Sequence, residues 1–168
     1  MSAKTRYDYL STKRSEFLNE AKECSELTLP YLIRGEEEYT RGMKNLSTPW
    51  QSVGAKGVVT LASKLMLALL PPQTSFFKLQ VDDSQLGDEF PPEARSEIDL
   101  SFAKIERTIL EAIAASDDRV VVHQALQHLV VSGNALIFMG KTGLKLFPLN
   151  RYVVDRDGNG NIIEIVTK

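Results

Sequence analysis

Apolar residues recur at helical spacing through the first two-thirds of the chain and in short strand-like runs through the last third. From Tyr7 to Leu29, the residues Leu10, Phe17, Ala21, Cys24 and the Leu27/Leu29 pair form an irregular stripe among charged positions. Pro30 closes this predicted helix. Arg34 to Ser47 is polar, holds Gly35, Gly42 and the run Glu36-Glu37-Glu38, and reads as a surface loop. Thr48-Pro49 opens the most apolar helix, about Gln51 to Leu70, with Ser52 a further candidate cap. Val58, Leu61, Ala62, Leu65 and Leu69 share one face of it, and Lys56, Ser63 and Lys64 mark the other. Pro71-Pro72 stops it. Phe76 to Val81 then reads as a short strand bounded by Asp82-Asp83, and Leu86 to Pro92 as a loop.

Two more helices follow. One runs from about Pro92 to Ala115, with Ile98, Phe102, Ile105, Ile109 and Ile113 as an apolar seam. The next spans about Asp117 to Ser132 behind the capping run Ser116-Asp117-Asp118. Its expected buried side is Val121, Ala125, Leu126, Leu129 and Val130, and Gly133-Asn134 is its stop signal. Ala135 to Met139 and Leu144 to Leu149 flank Gly140-Lys141-Thr142-Gly143. Arg151 to Arg156 and Asn161 to Val166 flank Asp157-Gly158-Asn159-Gly160. Both pairs read as β-hairpins. Helices followed by a small antiparallel hairpin sheet make an α+β layout, with residues 1–168 as a single region. The final strand runs almost to Lys168 without a terminal cap, so the chain is expected to be part of a longer protein.

The apolar segment from Thr48 to Thr74 belongs in a core, a subunit contact or a membrane. A membrane span requires about 20 nearly uncharged apolar residues. Lys56, Lys64 and several small polar residues interrupt this run, so burial in a core or against another subunit is expected. Gly54 and Gly57 each cost roughly 1 kcal/mol of helix propensity relative to alanine, which predicts a close approach by another backbone. Trp50 carries two readings: a staple of the helix start to the core, or an anchor into a neighbouring subunit, where tryptophan is enriched at energetically dominant positions. Trp50, Gly54 and Gly57 are thus the candidate interface residues.

Composition narrows the function classes. A formal net charge of -2 argues against a generic nucleic-acid-coating protein. Residues 82–118 carry eleven acidic against three basic side chains, whereas residues 119–168 carry six basic against three acidic ones. The acidic stretch reads as a solvated helix face, or as a surface that repels DNA or docks a basic partner. A single cysteine, Cys24, cannot form an internal disulfide, and with no N-terminal signal a reducing, intracellular place of synthesis is expected.

The motifs that tempt toward chemistry fail on spacing. Gly140-Lys141-Thr142 resembles the end of a phosphate-binding loop, but the first glycine of G-x-x-x-x-G-K-[ST] falls on Ala135, and a strand follows where a helix is required. Asp155 to Gly160 opens like a calcium loop, yet the twelfth position, which should be a bidentate glutamate, is Val166. His123 and His128 stand five apart, off the spacing at which two helix residues share a metal. Cys24 reads as packing rather than as a nucleophile, and no G-x-S-x-G elbow occurs. No catalytic, cofactor-binding or metal site is expected.

The wording of three blocks goes further. TPWQSVGAKGVVTLASKLMLALLPPQTSFFKL (Thr48 to Leu79), ALQHLVVSGNALIFM (Ala125 to Met139) and LFPLNRYVVDRDGNGNIIEIVTK (Leu146 to Lys168) resemble portal proteins, the head-to-tail connectors of short-tailed, autographivirus-type podophages. Residues 1–47 match that family only in general character. The resemblance implies a homo-oligomeric ring, usually of twelve subunits, at one capsid vertex of the virion, assembled in the host cytoplasm. Such a ring supports head assembly, genome packaging and genome ejection. The implied partners are double-stranded DNA in the channel, major capsid and scaffolding proteins, the terminase motor and the tail adaptor, with no membrane. It also implies that this chain is the N-terminal wing portion, with stem, clip and crown beyond residue 168. The alternatives are a nucleotide-binding enzyme using Gly140-Lys141-Thr142, or a small DNA-binding module using Arg151 and Arg156.

Overall fold

The computed structural model describes residues 2–34, 48–72, 74–80, 92–141 and 143–168. Helices α1 (Ala3–Lys13), α2 (Ser15–Leu27), α3 (Val53–Leu69), α4 (Pro92–Ala115) and α5 (Asp118–Ser132) precede two hairpins. These are β1 (Leu136–Gly140) with β2 (Gly143–Phe147), and β3 (Tyr152–Arg156) with β4 (Ile162–Thr167), joined by a 3-10 turn at Leu149–Arg151. The α+β class holds, but the hairpins form two separate two-stranded antiparallel sheets rather than one sheet. In the first, Leu136 faces Phe147 and Gly140 faces Gly143. In the second, Tyr152 faces Thr167, and an irregularity at Asp155/Arg156 bends the pair. Most of the loop predicted from Arg34 to Ser47, and that from Leu86 to Pro92, lie outside the described residues.

The predicted first helix is two. At Arg14 the backbone leaves helical geometry (φ -103°, ψ 13°). There the guanidinium donates from Nη2 to the Leu149 carbonyl at 2.8 Å and lies over the Tyr152 ring. The break resets which positions face inward. Leu10, Ala21, Ser25 and Leu29 are buried, while Phe17, Cys24 and Leu27 are exposed. Cys24 is therefore not a packing residue. Ser25 takes an inward place because its hydroxyl donates to the Leu29 carbonyl at 2.8 Å and accepts the Ile33 N–H.

Among the described residues, three small apolar clusters hold these elements. Ala21, Leu29, Leu32, Ile33, Val58, Leu149 and Tyr152 join α2, α3 and the 3-10 turn. Tyr7, Leu10 and Val153 dock α1 on β3, with Val166 beside them. Polar contacts seal that joint: Arg6 pairs with Asp155 at 2.5 Å and Glu164 at 2.9 Å, and the Tyr7 hydroxyl donates to the Asn150 carbonyl at 2.7 Å. Ala62, Met66 and Leu126 form the third cluster, where α3 crosses α5. Burial raises the pKa of the Tyr152 phenol, and the nearby Arg14 guanidinium opposes that rise.

Several predicted faces rotate. On α3 the buried residues are Val58, Ala62 and Met66, whereas Leu61 and Leu69 are exposed. On α5 the buried set is Ala125 to His128 and Ser132, and Leu129 is exposed. The cause is enclosure: α5 touches α2, α3 and β2, so its neighbours rather than its apolar stripe select the buried arc. Burial consequently lowers the His128 pKa below the usual histidine value. The strand predicted at Phe76 to Val81 is not a strand over its described residues, 76–80. Among the described residues no second strand lies alongside to complete a ladder; Leu79 instead donates its N–H to the Glu106 carboxylate at 2.5 Å, and the Phe76 and Phe77 rings meet edge to face.

Helix ends are tied by tertiary partners. Gly133 adopts φ 68° and donates its N–H to the Leu129 carbonyl at 2.9 Å, the left-handed stop that Gly-Asn predicts. The carbonyl of Leu70, the residue just past α3, accepts from Arg119 Nη2 at 2.6 Å, so a cation meets the negative end of the helix. No helix among the described residues is long and apolar enough to cross a membrane.

Candidate subunit interface

Trp50 enters α3 from Thr48-Pro49 and turns its whole side chain to solvent, with a relative exposure of 102%. It does not staple the helix start to the core. Beside it, the last turn of α2 and the first turn of α3 enclose a groove of about 680 Å³. Leu27 and Val53, each 71% exposed, supply its apolar walls, and Glu23 and Glu26 set two carboxylates along it. An exposed indole between exposed aliphatic side chains resembles the centre of a protein–protein contact more than a catalytic cleft.

The two glycines of α3 differ in their surroundings. A Cβ on Gly54 would lie 3.0 Å from the Leu27 carbonyl oxygen and 3.1 Å from Thr28 Cγ2. The close backbone at Gly54 is thus this chain's own, and it sets the spacing of α2 against α3. A Cβ on Gly57 meets nothing within 4 Å. Gly57 lies one helical turn beyond Val53 and one before Leu61, on the open face. Gly54→Ala is therefore expected to destabilise the chain by about 1 kcal/mol, because overpacking outweighs the propensity gain. Gly57→Ala is expected to stabilise the isolated chain by about 0.5–1 kcal/mol through helix propensity. Urea titration of both variants checks the opposite signs. A Gly57→Ala variant that is more stable yet assembles less well assigns the open face to a subunit contact.

Among the described residues, the alternative chemistries find no geometry. Gly140 and Gly143 close the β1–β2 hairpin, and Thr142 lies outside the described residues. The α5 N-terminus does approach this turn, but Asp118 fills the space: its Oδ1 accepts the Leu144 N–H at 2.8 Å. A carboxylate where a phosphate would sit repels one. Gly143 is needed there because φ is 122° and a Cβ would press to 3.0 Å from that oxygen. In the calcium-like turn, Asp157 accepts from the Asn159 and Asn161 N–H groups at 2.9 and 2.7 Å, and from the Asn161 amide at 2.9 Å. The Asn161 side-chain bond, followed by its backbone bond, pulls the Asp157 pKa down. Asp155 is taken by Arg6. These carboxylates serve a turn and an ion pair, and no group of three potential metal ligands gathers among the described residues.

His123 approaches Ser63 at 3.4 Å across the α3–α5 contact, while His128 is buried with no hydrogen-bond partner for Nδ1 among the described residues. Among the described residues, neither has a nucleophile–base–acid arrangement around it. Arg156 donates from Nη1 to the Gly160 carbonyl at 3.0 Å, within its own turn.

Two open surfaces escaped sequence reasoning. On α4, Ile105 and Ile109 of the predicted seam are exposed while Ile98, Phe102 and Ile113 are partly covered, and Leu100, outside the seam, is exposed as well. On the hairpins, Phe138 is 57%, Met139 80% and Ile163 66% exposed. A signal for the second was present: Leu136 to Met139 is an unbroken apolar run, as in strands covered on both faces.

Comparison with known proteins then addresses the whole chain. Residues 1–168 match the family described as "Bacteriophage head to tail connecting protein". The portal protein of Enterobacteria phage T3 is 37% identical over 175 residues, covering 99% of this chain and 32% of that protein. The portal protein of Escherichia phage T7 is 35% identical, with 99% and 32% covered. That of Enterobacteria phage SP6 is 32% identical, with 95% and 31% covered. The chain thus spans about a third of the length of these curated relatives.

Proposed function

Because the chain belongs to the bacteriophage head to tail connecting protein family, we propose that it forms part of the structural subunit of a portal ring and has no catalytic role. In this reading it is the N-terminal wing portion of a longer polypeptide, whose stem, clip and crown follow. About twelve copies close a ring at one capsid vertex, as heterologous contacts with closing rotation do. The ring passes double-stranded DNA inward during packaging and outward during ejection. It contacts the capsid and scaffolding proteins, the terminase motor and the tail adaptor. Its place is the virion of a short-tailed phage, after assembly in the host cytoplasm.

The observation that carries this reading is the family match over every residue of the chain. The open Trp50 groove and the open side of α3 support it, because a ring subunit must offer surface that its own fold leaves uncovered. Trp50 and Gly57 are assigned to the subunit contact, and Gly54 holds the groove in shape. Electron microscopy of the complete polypeptide is the direct test. Rings with a central channel are expected; a uniformly monomeric protein at micromolar concentration would refute the reading.

A further inference from the structure

Resting on the ring reading, we propose that the Trp50 groove of one copy receives the β1–β2 hairpin of the next. Each surface is incomplete alone. The groove presents an exposed indole, Leu27 and Val53 beside the carboxylates of Glu23 and Glu26. One face of the hairpin presents Phe138, 57% exposed, with Lys145 directly opposite it, and Lys141 stands at the turn. Both lysines are exposed. The Phe138 ring thus faces apolar groove walls, and two carboxylates face two ammonium groups, which fixes register and steers encounter.

Position supports the pairing. The groove lies at the start of α3, a helix of 17 residues. The hairpin turn lies by its far end, where Asp118 accepts the Leu144 N–H and the adjacent Arg119 caps Leu70. A helix of that length spans about 25 Å. Asp118 holds the hairpin there, so a subunit's own hairpin does not fill its own groove. Two complementary patches at opposite ends of one helix suit a head-to-tail contact between different patches, as a ring of more than two copies requires.

The test uses charge reversal in the complete polypeptide, with assembly read by electron microscopy and mass photometry. Glu23→Lys with Glu26→Lys is expected to lower the ring fraction about tenfold or more. Lys141→Glu with Lys145→Glu is expected to do the same, and the four changes together to restore rings. All four side chains are exposed, so circular dichroism melting should stay near that of the parent protein. In a Cys24→Ser background, Val53→Cys with Phe138→Cys should give a ladder of disulfide-linked oligomers on oxidation. If the parent forms rings but the fourfold variant assembles no better than the double variants and no ladder appears, the hairpin–groove pairing is wrong and the ring reading stands. A parent that never leaves the monomer sinks both.

Discussion

Trp50→Ala is expected to weaken each subunit contact by about 2–4 kcal/mol, the range of interface hot spots. That corresponds to roughly 30- to 1,000-fold in association per contact, and a closed ring repeats the loss at every joint. The same substitution should shift the stability of the isolated chain by less than about 0.5 kcal/mol, because the indole is 102% exposed and belongs to none of the three apolar clusters. Few substitutions separate assembly from folding so cleanly. Sedimentation velocity of the complete polypeptide, set beside a denaturant titration, reads both quantities. Intact rings with a lowered melting temperature would place Trp50 in a core that the monomer does not display, and would remove it from the interface.

Leu149→Ala is expected to show the opposite pattern, a loss of about 2–5 kcal/mol in folding stability. Leu149 is 2% exposed and sits where α2, α3 and β3 converge, against Ala21, Leu32, Val58 and Tyr152. Its carbonyl also accepts the Arg14 guanidinium, so a collapse around the cavity would strain the α1–α2 break. For a chain of this size the loss should lower the melting temperature by about 5–20 °C. Calorimetry or urea titration checks it. A change within experimental error would mean that the 3-10 turn does not knit the helices to the second hairpin.

The contrast between these residues explains much of what was legible beforehand. Element type was readable wherever a local signal was strong. Pro71-Pro72 ends α3 within a residue or two of the expected place, Gly133 stops α5, and both glycine-rich turns close hairpins. Failures concern partners. Phe76 to Gln80 carries strand-like composition, but a strand exists only with a neighbour to complete its ladder, and none is present among the described residues. The long first helix broke at Arg14, for which tertiary contacts to Leu149 and Tyr152 are available and no local breaker exists.

The candidate site divides along the same line. Trp50 stood out in the sequence as an aromatic residue behind a proline, but whether it staples or projects depended on the packing of α2 against Gly54. Gly54 and Gly57 looked equivalent, each a costly residue in a helix. Only the structure separates them, since one touches the Leu27 carbonyl and the other touches nothing. Glu23 and Glu26 carried no local signal, because surface carboxylates on a helix are ordinary until a groove brings them beside an indole.

Backbone preference and short-range hydrogen bonding thus specified the helices, their stops, the hairpin turns and the α+β class, because each is decided within a few residues. Specific wording over the same stretch was enough to suggest the family. The tertiary structure alone decided which sides of α3, α4 and α5 are covered, that Asp118 stands beside the Gly140-Lys141 turn, and which apolar surface the fold leaves open. Those outcomes depend on neighbours distant in sequence. A periodic stripe states how much apolar surface a helix carries, not which surface will cover it.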